Sequence, residues 1–184
     1  MQIEQGLLVE ARQQPSPNCD ERPDDVSLLI VHGISLPPGE FGGPWIDALF
    51  TNTLDPEAHE YFAQIQHLRV SSHILIRRDG ELVQYVPFDK RAWHAGESTF
   101  KERSCCNDFS IGIELEGTDD KAYTDSQYQQ LATLIAELQA IYPAISRENI
   151  VGHCDVAPGR KTDPGAAFDW SRLQQDLSTL VDAD

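Results

Sequence analysis

Val26-Ser-Leu-Leu-Ile-Val-His32 is an apolar run broken only by Ser27 and closed by a histidine. A strand with one wet face alternates; an unbroken run reads as a strand covered on both faces, the signature of a layered α/β sheet. Asn149-Ile-Val-Gly-His153 reads as a second, shorter buried strand and also ends in a histidine. Open α/β sheets place their ligands at the carboxyl ends of strands, so His32 and His153 are expected at one functional edge. A histidine closing a single strand often does no more than hydrogen-bond a loop carbonyl. Two at the same edge are less easily dismissed.

Working outward, Ser110-Ile-Gly-Ile-Glu-Leu-Glu116 alternates, with Ile111, Ile113 and Leu115 on one face and Gly112, Glu114 and Glu116 on the other. Gly112 leaves room beside Glu114 for something to approach. A carboxylate inside a central strand is costly unless it is paired or near a metal, so Glu114 is a candidate general base. The plainer alternative is an edge-strand glutamate facing water. Ser72 to Arg77 and Leu82 to Val86 flank Asp79-Gly80 and predict a hairpin closed by a tight primed turn.

Helices are expected around Trp45 to Phe50, from Asp55-Pro56 onward, from Thr124 to Tyr142, and from about Asp169. The third opens with Thr124 and Gln127, a capping-box pair, and its stripe of Tyr128, Leu131, Ile135, Leu138 and Tyr142 is core. His59 and His67 read as surface residues. Residues 1–25, with Pro15, Pro17 and Pro23, are expected as an extended arm without regular structure, and residues 97–108 as a flexible loop.

The chain has 184 residues, enough for one well-buried core and too few for two ordinary domains. One domain over 1–184 is expected. Its formal net charge of -16 repels phosphate backbones and anionic lipid, which argues against nucleic acid and membrane as partners. The first ten residues lack the basic and apolar regions of a signal peptide. Cys19, Cys105, Cys106 and Cys154 form no CxxC pair and read as free thiols in a reducing compartment. A cytoplasmic monomer is the expectation. Cys154, beside His153, is a possible soft ligand that strand alternation would turn away.

Beyond the second strand, His153-Cys-Asp-Val-Ala-Pro-Gly-Arg-Lys-Thr-Asp-Pro-Gly165 is too rich in Pro and Gly to continue as regular structure. It can bring Asp163 to the same ion as His153, with Lys161 pointing into the same space. His32, His153 and Asp163 then make a two-imidazole, one-carboxylate set that leaves zinc a fourth position for water, as in a catalytic site. Glu114 could take the proton of that water, and Lys161 could stabilise an oxyanion. In Trp93-His94 an indole and an imidazole sit side by side, as core packing or as a pocket wall.

His32 at a strand end, Trp93-His-Ala-Gly96, Ser110 to Gly117, Gly152-His-Cys-Asp155 and Lys161-Thr-Asp-Pro-Gly165 together resemble the zinc-dependent N-acetylmuramoyl-L-alanine amidases of the phage-lysozyme and peptidoglycan-recognition superfamily. The similarity extends from about Pro15 to Trp170 and is greatest to the cytoplasmic branch acting on 1,6-anhydro-muropeptides. It implies a mixed β-sheet flanked by helices, Zn2+ on His32, His153 and Asp163, and Glu114 and Lys161 as base and oxyanion stabiliser. It implies a muropeptide substrate cut between the lactyl group of muramic acid and L-alanine, during cell-wall recycling. Arg69 would meet the peptide's carboxylates, and Trp93 and His94 would border the sugar or the metal.

Two positions depart from that branch. Gly33 stands where an asparagine commonly follows the first histidine, removing an amide that could bind substrate. Cys105 stands where an arginine is often found, with Arg103 as the replacement the loop offers. The alternatives are an amidase of intact peptidoglycan and a module that binds wall fragments without cleaving them. The complete ligand set with Glu114 and Lys161 weighs against the second.

Overall fold

The computed structural model describes residues 1–181. In chain order its strands and helices are β1 (Ile3–Glu4), β2 (Leu7–Leu8), β3 (Arg12–Gln13), β4 (Cys19–Glu21), β5 (Leu28–Ile34), α1 (Trp45–Phe50), α2 (Glu60–Ile65), β6 (Ile74–Ile76), β7 (Leu82–Gln84), β8 (Lys90–Ala92), β9 (Thr99–Phe100), β10 (Arg103–Ser104), β11 (Ser110–Glu116), α3 (Asp125–Ile141), β12 (Ile150–Gly152), α4 (His153–Val156) and α5 (Trp170–Val181). Six strands form one sheet in the order β12-β5-β11-β6-β7-β3. The first four run parallel, β7 returns antiparallel to β6, and β3 lies parallel to β7. This is the mixed sheet that the family resemblance implied.

Both faces are covered, which explains the unbroken apolar run of β5. Leu29, Val31, Ile111, Ile113 and Leu115 pack against Leu131, Leu134, Ile135 and Leu138 of α3 and Leu173 and Leu177 of α5. Opposite, Leu75 and Val83 meet Ile46, Leu49, Phe50 and Phe62 of α1 and α2. The Thr124–Gln127 capping box forms as expected. The Gln127 amide also donates to the carbonyls of Ile76 (3.1 Å) and Glu116 (2.9 Å), tying α3 to two strand ends.

Several local expectations need correction. Residues 1–25 are not irregular: β1 and β2 form a hairpin, β3 extends the main sheet, and β4 pairs with β8. Their proline spacing left room for short strands whose partners lie far along the chain. β5 runs past His32 to Ile34, so the histidine sits within the strand and faces Glu114 across the ladder. The β6–β7 turn is not a two-residue primed turn. Arg77 N donates to Glu81 O, Gly80 N donates to Arg77 O, and of the Asp79-Gly80 pair only Gly80 has positive φ, a three-residue loop with a bulge.

Asp55-Pro56 makes only a turn; α2 begins at Glu60, capped by His59, whose Nδ1 accepts from Tyr61 N at 3.1 Å. Residues 97–108 hold β9, β10 and a 3-10 turn over Cys106–Asp108. Their two-residue turn, Lys101-Glu102, supplies the two positive φ angles itself, so no glycine signalled it.

Candidate metal centre

β5 and β11 are parallel neighbours in which His32 and Glu114 are register partners, on the sheet face opposite α3 and α5. β12, on the other side of β5, delivers His153 to the first position of α4, where Asp155 reaches back to Gly152 N at 2.7 Å. The loop beyond α4 returns Asp163, anchored where Cys154 N donates to its carbonyl at 3.0 Å. Its carboxylate meets both imidazoles. The His32 and His153 Nδ1 atoms are 3.0 Å apart, and Asp163 Oδ2 is 3.1 Å from His153 Nδ1 and 3.3 Å from His32 Nδ1. Cys154 stays outside this group, the one candidate metal cluster among the described residues.

A tetrahedral zinc with bonds of about 2.0–2.2 Å holds its ligand atoms about 3.3–3.5 Å apart, close to the observed triangle. The chemistry of the set agrees. His153 Nε2 lies 3.2 Å from the Ala95 carbonyl, which only accepts, so this nitrogen carries the proton and Nδ1 of the neutral ring presents a lone pair. This lone pair, the Asp163 carboxylate oxygen and His32 Nδ1 therefore converge. One proton relieves one pair of them, whereas one metal cation satisfies all three. Burial lowers the His32 pKa to about 4, against the opposing influence of the adjacent Asp163 carboxylate. Burial also opposes ionisation of Asp163, but the two imidazoles beside it, His153 and His32, outweigh it and hold the carboxyl well below its usual range.

Glu114 and Glu116 share a strand face but are in different chemical situations. Glu116 is saturated: Oε1 accepts from Gly42 N (2.6 Å) and Arg77 Nη1 (3.5 Å), and Oε2 from Arg78 N (3.2 Å). Glu114 is buried, and its Oε2 has no protein partner. An orphaned buried carboxylate oxygen marks a place prepared for something else. Burial first, and then the charge of Asp163, raise the Glu114 pKa well above the ordinary value, with Lys161 opposing.

The edge-strand alternative for Glu114 is excluded by position: β11 is an interior strand of the sheet. Gly112, read as space for an approaching ligand, is filled by the His94 ring, since a Cβ there would lie 2.4 Å from His94 Cγ.

A cavity of about 590 Å³ opens over this group; His32, His94, Glu114, His153, Lys161 and Asp163 line one side of it, and Leu49, Tyr61, Ile65, Leu68 and Val70 are among its apolar lining. Lys161 is exposed at its rim. Trp93 and Arg69 do not line it. Trp93 is half-buried, and Arg69 is exposed between Leu68 and Val70 with Nη1 on the carbonyls of Gln66 and Leu68 (both 3.1 Å). Arg103, the replacement offered for Cys105, pairs with Asp24 at 3.2 Å and lies over Phe109, outside the cavity.

Tyr123 was not singled out by sequence. Its ring lies against Gly33 and Gly117, where added Cβ atoms would each approach it to 2.4 Å, and its hydroxyl donates to Pro164 O at 2.9 Å, next to Asp163. The space at Gly33, read as a lost substrate contact, is thus taken by this phenol. Two glycines at neighbouring strand ends were the available signal.

Residues 22–166 match the family described as N-acetylmuramoyl-L-alanine amidase. The chain is 70% identical over 173 residues to the 1,6-anhydro-N-acetylmuramyl-L-alanine amidase AmpD of Salmonella typhimurium strain SL1344, covering 93% of this chain and 92% of that one. The crystal structure of a selenomethionine derivative of AmpD superposes with a TM-score of 0.94 at 66% identity, covering 96% and 99% of the two chains. The Escherichia coli amidase AmiD, in complex with the substrate anhydro-N-acetylmuramic acid-L-Ala-D-γ-Glu-L-Lys, superposes with a TM-score of 0.61 at 29% identity over 85% of this chain and 60% of that one.

Proposed function

Because the chain belongs to the N-acetylmuramoyl-L-alanine amidase family, we propose that it hydrolyses the amide between the lactyl group of 1,6-anhydro-N-acetylmuramic acid and L-alanine in muropeptides released from the wall, using zinc held by His32, His153 and Asp163. The observation that carries this reading is the convergence of two imidazole nitrogens and a carboxylate oxygen in a cavity shared with a buried, partnerless carboxylate oxygen. The names of the relatives above support the choice of substrate.

When bound, zinc supplies Lewis acidity that polarises a carbonyl and lowers the pKa of water. The remaining work falls to the chain's own groups. Glu114 takes the proton of the attacking water through its free oxygen and returns it to the leaving amine of L-alanine. Burial and Asp163 raise its proton affinity, so it can hold that proton between the two transfers. Lys161 brings an ammonium to the developing oxyanion from the cavity rim. The apolar wall excludes water and receives the lactyl and alanyl methyl groups. Arg69, exposed beside that wall, turns to the peptide's carboxylates.

We place the reaction in the cytoplasm, a location that four free cysteines fit. No helix among the described residues is long and apolar enough to cross a membrane.

The test is mass-spectrometric: purified, metal-quantified protein is incubated with anhydro-muramyl tripeptide before chelation, after it, and after zinc is restored. Free tripeptide that vanishes on chelation and returns with zinc is the expected result. Binding of the muropeptide without cleavage by zinc-loaded protein would overturn the reading.

A further inference from the structure

A neutral imidazole offers a lone pair at Nδ1 only when its proton sits on Nε2, so whatever accepts from Nε2 decides whether the ring can ligate. For His153 that acceptor is the Ala95 carbonyl. For His32 it is another imidazole: His94 Nδ1 lies 2.9 Å from His32 Nε2, with the rings edge to face and their centroids 5.0 Å apart. His94 can accept there only if its own proton is on Nε2. That nitrogen is 3.2 Å from Ser110 Oγ, and Ser110 Oγ is 2.6 Å from the Cys106 carbonyl oxygen.

The carbonyl, which can only accept, sets the direction of the whole chain. The Ser110 hydroxyl must donate to Cys106 O, since two acceptors would otherwise face each other at 2.6 Å. Ser110 Oγ then accepts from His94 Nε2–H, His94 Nδ1 accepts from His32 Nε2–H, and the lone pair of His32 is left on Nδ1, facing Asp163 and His153. We infer that His94 is a positioning residue that sets the tautomer of the ligand His32, not a substrate contact, with Ser110 and the Cys106 carbonyl as its anchor. The inference rests on the zinc reading of the site.

The surroundings are built for this task. Gly112 removes the side chain that would collide with the His94 ring. Asn107 Oδ1 accepts from both His94 N (3.1 Å) and Ala95 N (2.8 Å), so one buried amide holds the segment that supplies the acceptors for both ligand histidines. Ser110 and Cys106 are fully buried, and neither lines the cavity.

The experiment compares zinc affinity, by competition with a chromogenic chelator, for the full chain and for His94→Phe, His94→Asn and Ser110→Ala. Ring 15N spectra of His32 in the metal-free unaltered protein accompany it. His94→Phe should weaken zinc binding about 10- to 100-fold. His94→Asn, whose Oδ1 can stand where Nδ1 stood, should restore it to within a few-fold. Ser110→Ala should weaken it in the same direction, though no group that can reach a substrate has changed. The spectra should show His32 protonated at Nε2 and bare at Nδ1.

Unchanged zinc affinity in both His94→Phe and Ser110→Ala, with only KM raised for His94→Phe, would assign His94 to the substrate and overturn the inference. If His94→Phe does not fold, Ser110→Ala and the native spectra decide, and a His32 protonated at Nδ1 overturns it. Unaltered protein that binds no zinc overturns the metal reading as well. Protein that binds zinc, and whose variants bind it equally tightly, overturns this inference alone.

Discussion

Replacing Gly33 by alanine drives a methyl group into the hydroxyl of Tyr123. The new Cβ would lie 2.4 Å from Oη, whereas carbon and oxygen settle at roughly 3.4 Å or more, so the phenol must retreat by about 1 Å. It has little room. Gly117 lies against the ring on one side, and Phe168 packs edge-on with centroids 5.5 Å apart. The bond to Pro164 O survives the retreat, because that oxygen lies 3.7 Å from the added Cβ and 2.9 Å from Oη, nearly at right angles to the push. The cost is therefore that of overpacking, about 1–3 kcal/mol, a fall in Tm of roughly 2–12 °C for a chain of this size.

Thermal denaturation in excess chelator measures this without stabilisation from bound metal. Tyr123→Phe alone should cost about 1–2 kcal/mol through the lost donor. The decisive variant is the pair: Gly33→Ala with Tyr123→Phe should cost less than the sum of the singles by about 1 kcal/mol or more, because removing the hydroxyl removes the clash. Additive effects, or a Gly33→Ala protein that melts with the unaltered one, would refute the idea that Gly33 makes space for this phenol.

Other outcomes follow from the site. His32→Ala, His153→Ala and Asp163→Ala should each lose zinc and activity together, whereas Glu114→Gln should keep zinc and lose turnover; metal content and tripeptide release on the same samples separate the two. Lys161→Ala should lower kcat by roughly 10²–10³ with a smaller change in KM, and an effect confined to KM would remove it from the oxyanion role. Burial, aided by Arg22, lowers the His73 pKa to about 3, and burial lowers His32 to about 4. Depressed imidazoles contribute stability that is complete above their unfolded pKa near 6.5 and lost as pH falls toward the folded values. The metal-free protein should therefore lose up to about 1.4 kcal/mol per pH unit for each of these rings between pH 6.5 and about 4, as urea titrations at stepped pH would show.

How far the sequence could be read differs between the two halves of the site. The apolar runs leading to His32 and His153 and the alternation that isolates Glu114 are local patterns whose meaning depends only on strand periodicity and burial; the structure puts His32 and Glu114 on paired strands and His153 directly after a third, though β5 continues past His32 to Ile34. Asp163 and Lys161 had no periodic signal; they were reached through a loop's composition and a family likeness. The short pairings β1–β2, β3–β7 and β4–β8 were illegible because two or three residues carry no period, and their partners lie far along the chain.

By itself, then, the sequence determined the layered α/β class, the strands bearing the two histidines, and the family whose chemistry the chain carries, because hydrophobic periodicity and motif spacing are properties of neighbouring residues. Only the tertiary structure decided which of two glutamates on one face is free and which is saturated by Arg77, Arg78 and Gly42. It also showed that Gly112 leaves room for the His94 ring and Gly33 for the Tyr123 phenol. Those are facts of hydrogen-bond direction and excluded volume between segments distant in the chain, and no reading of one segment contains them.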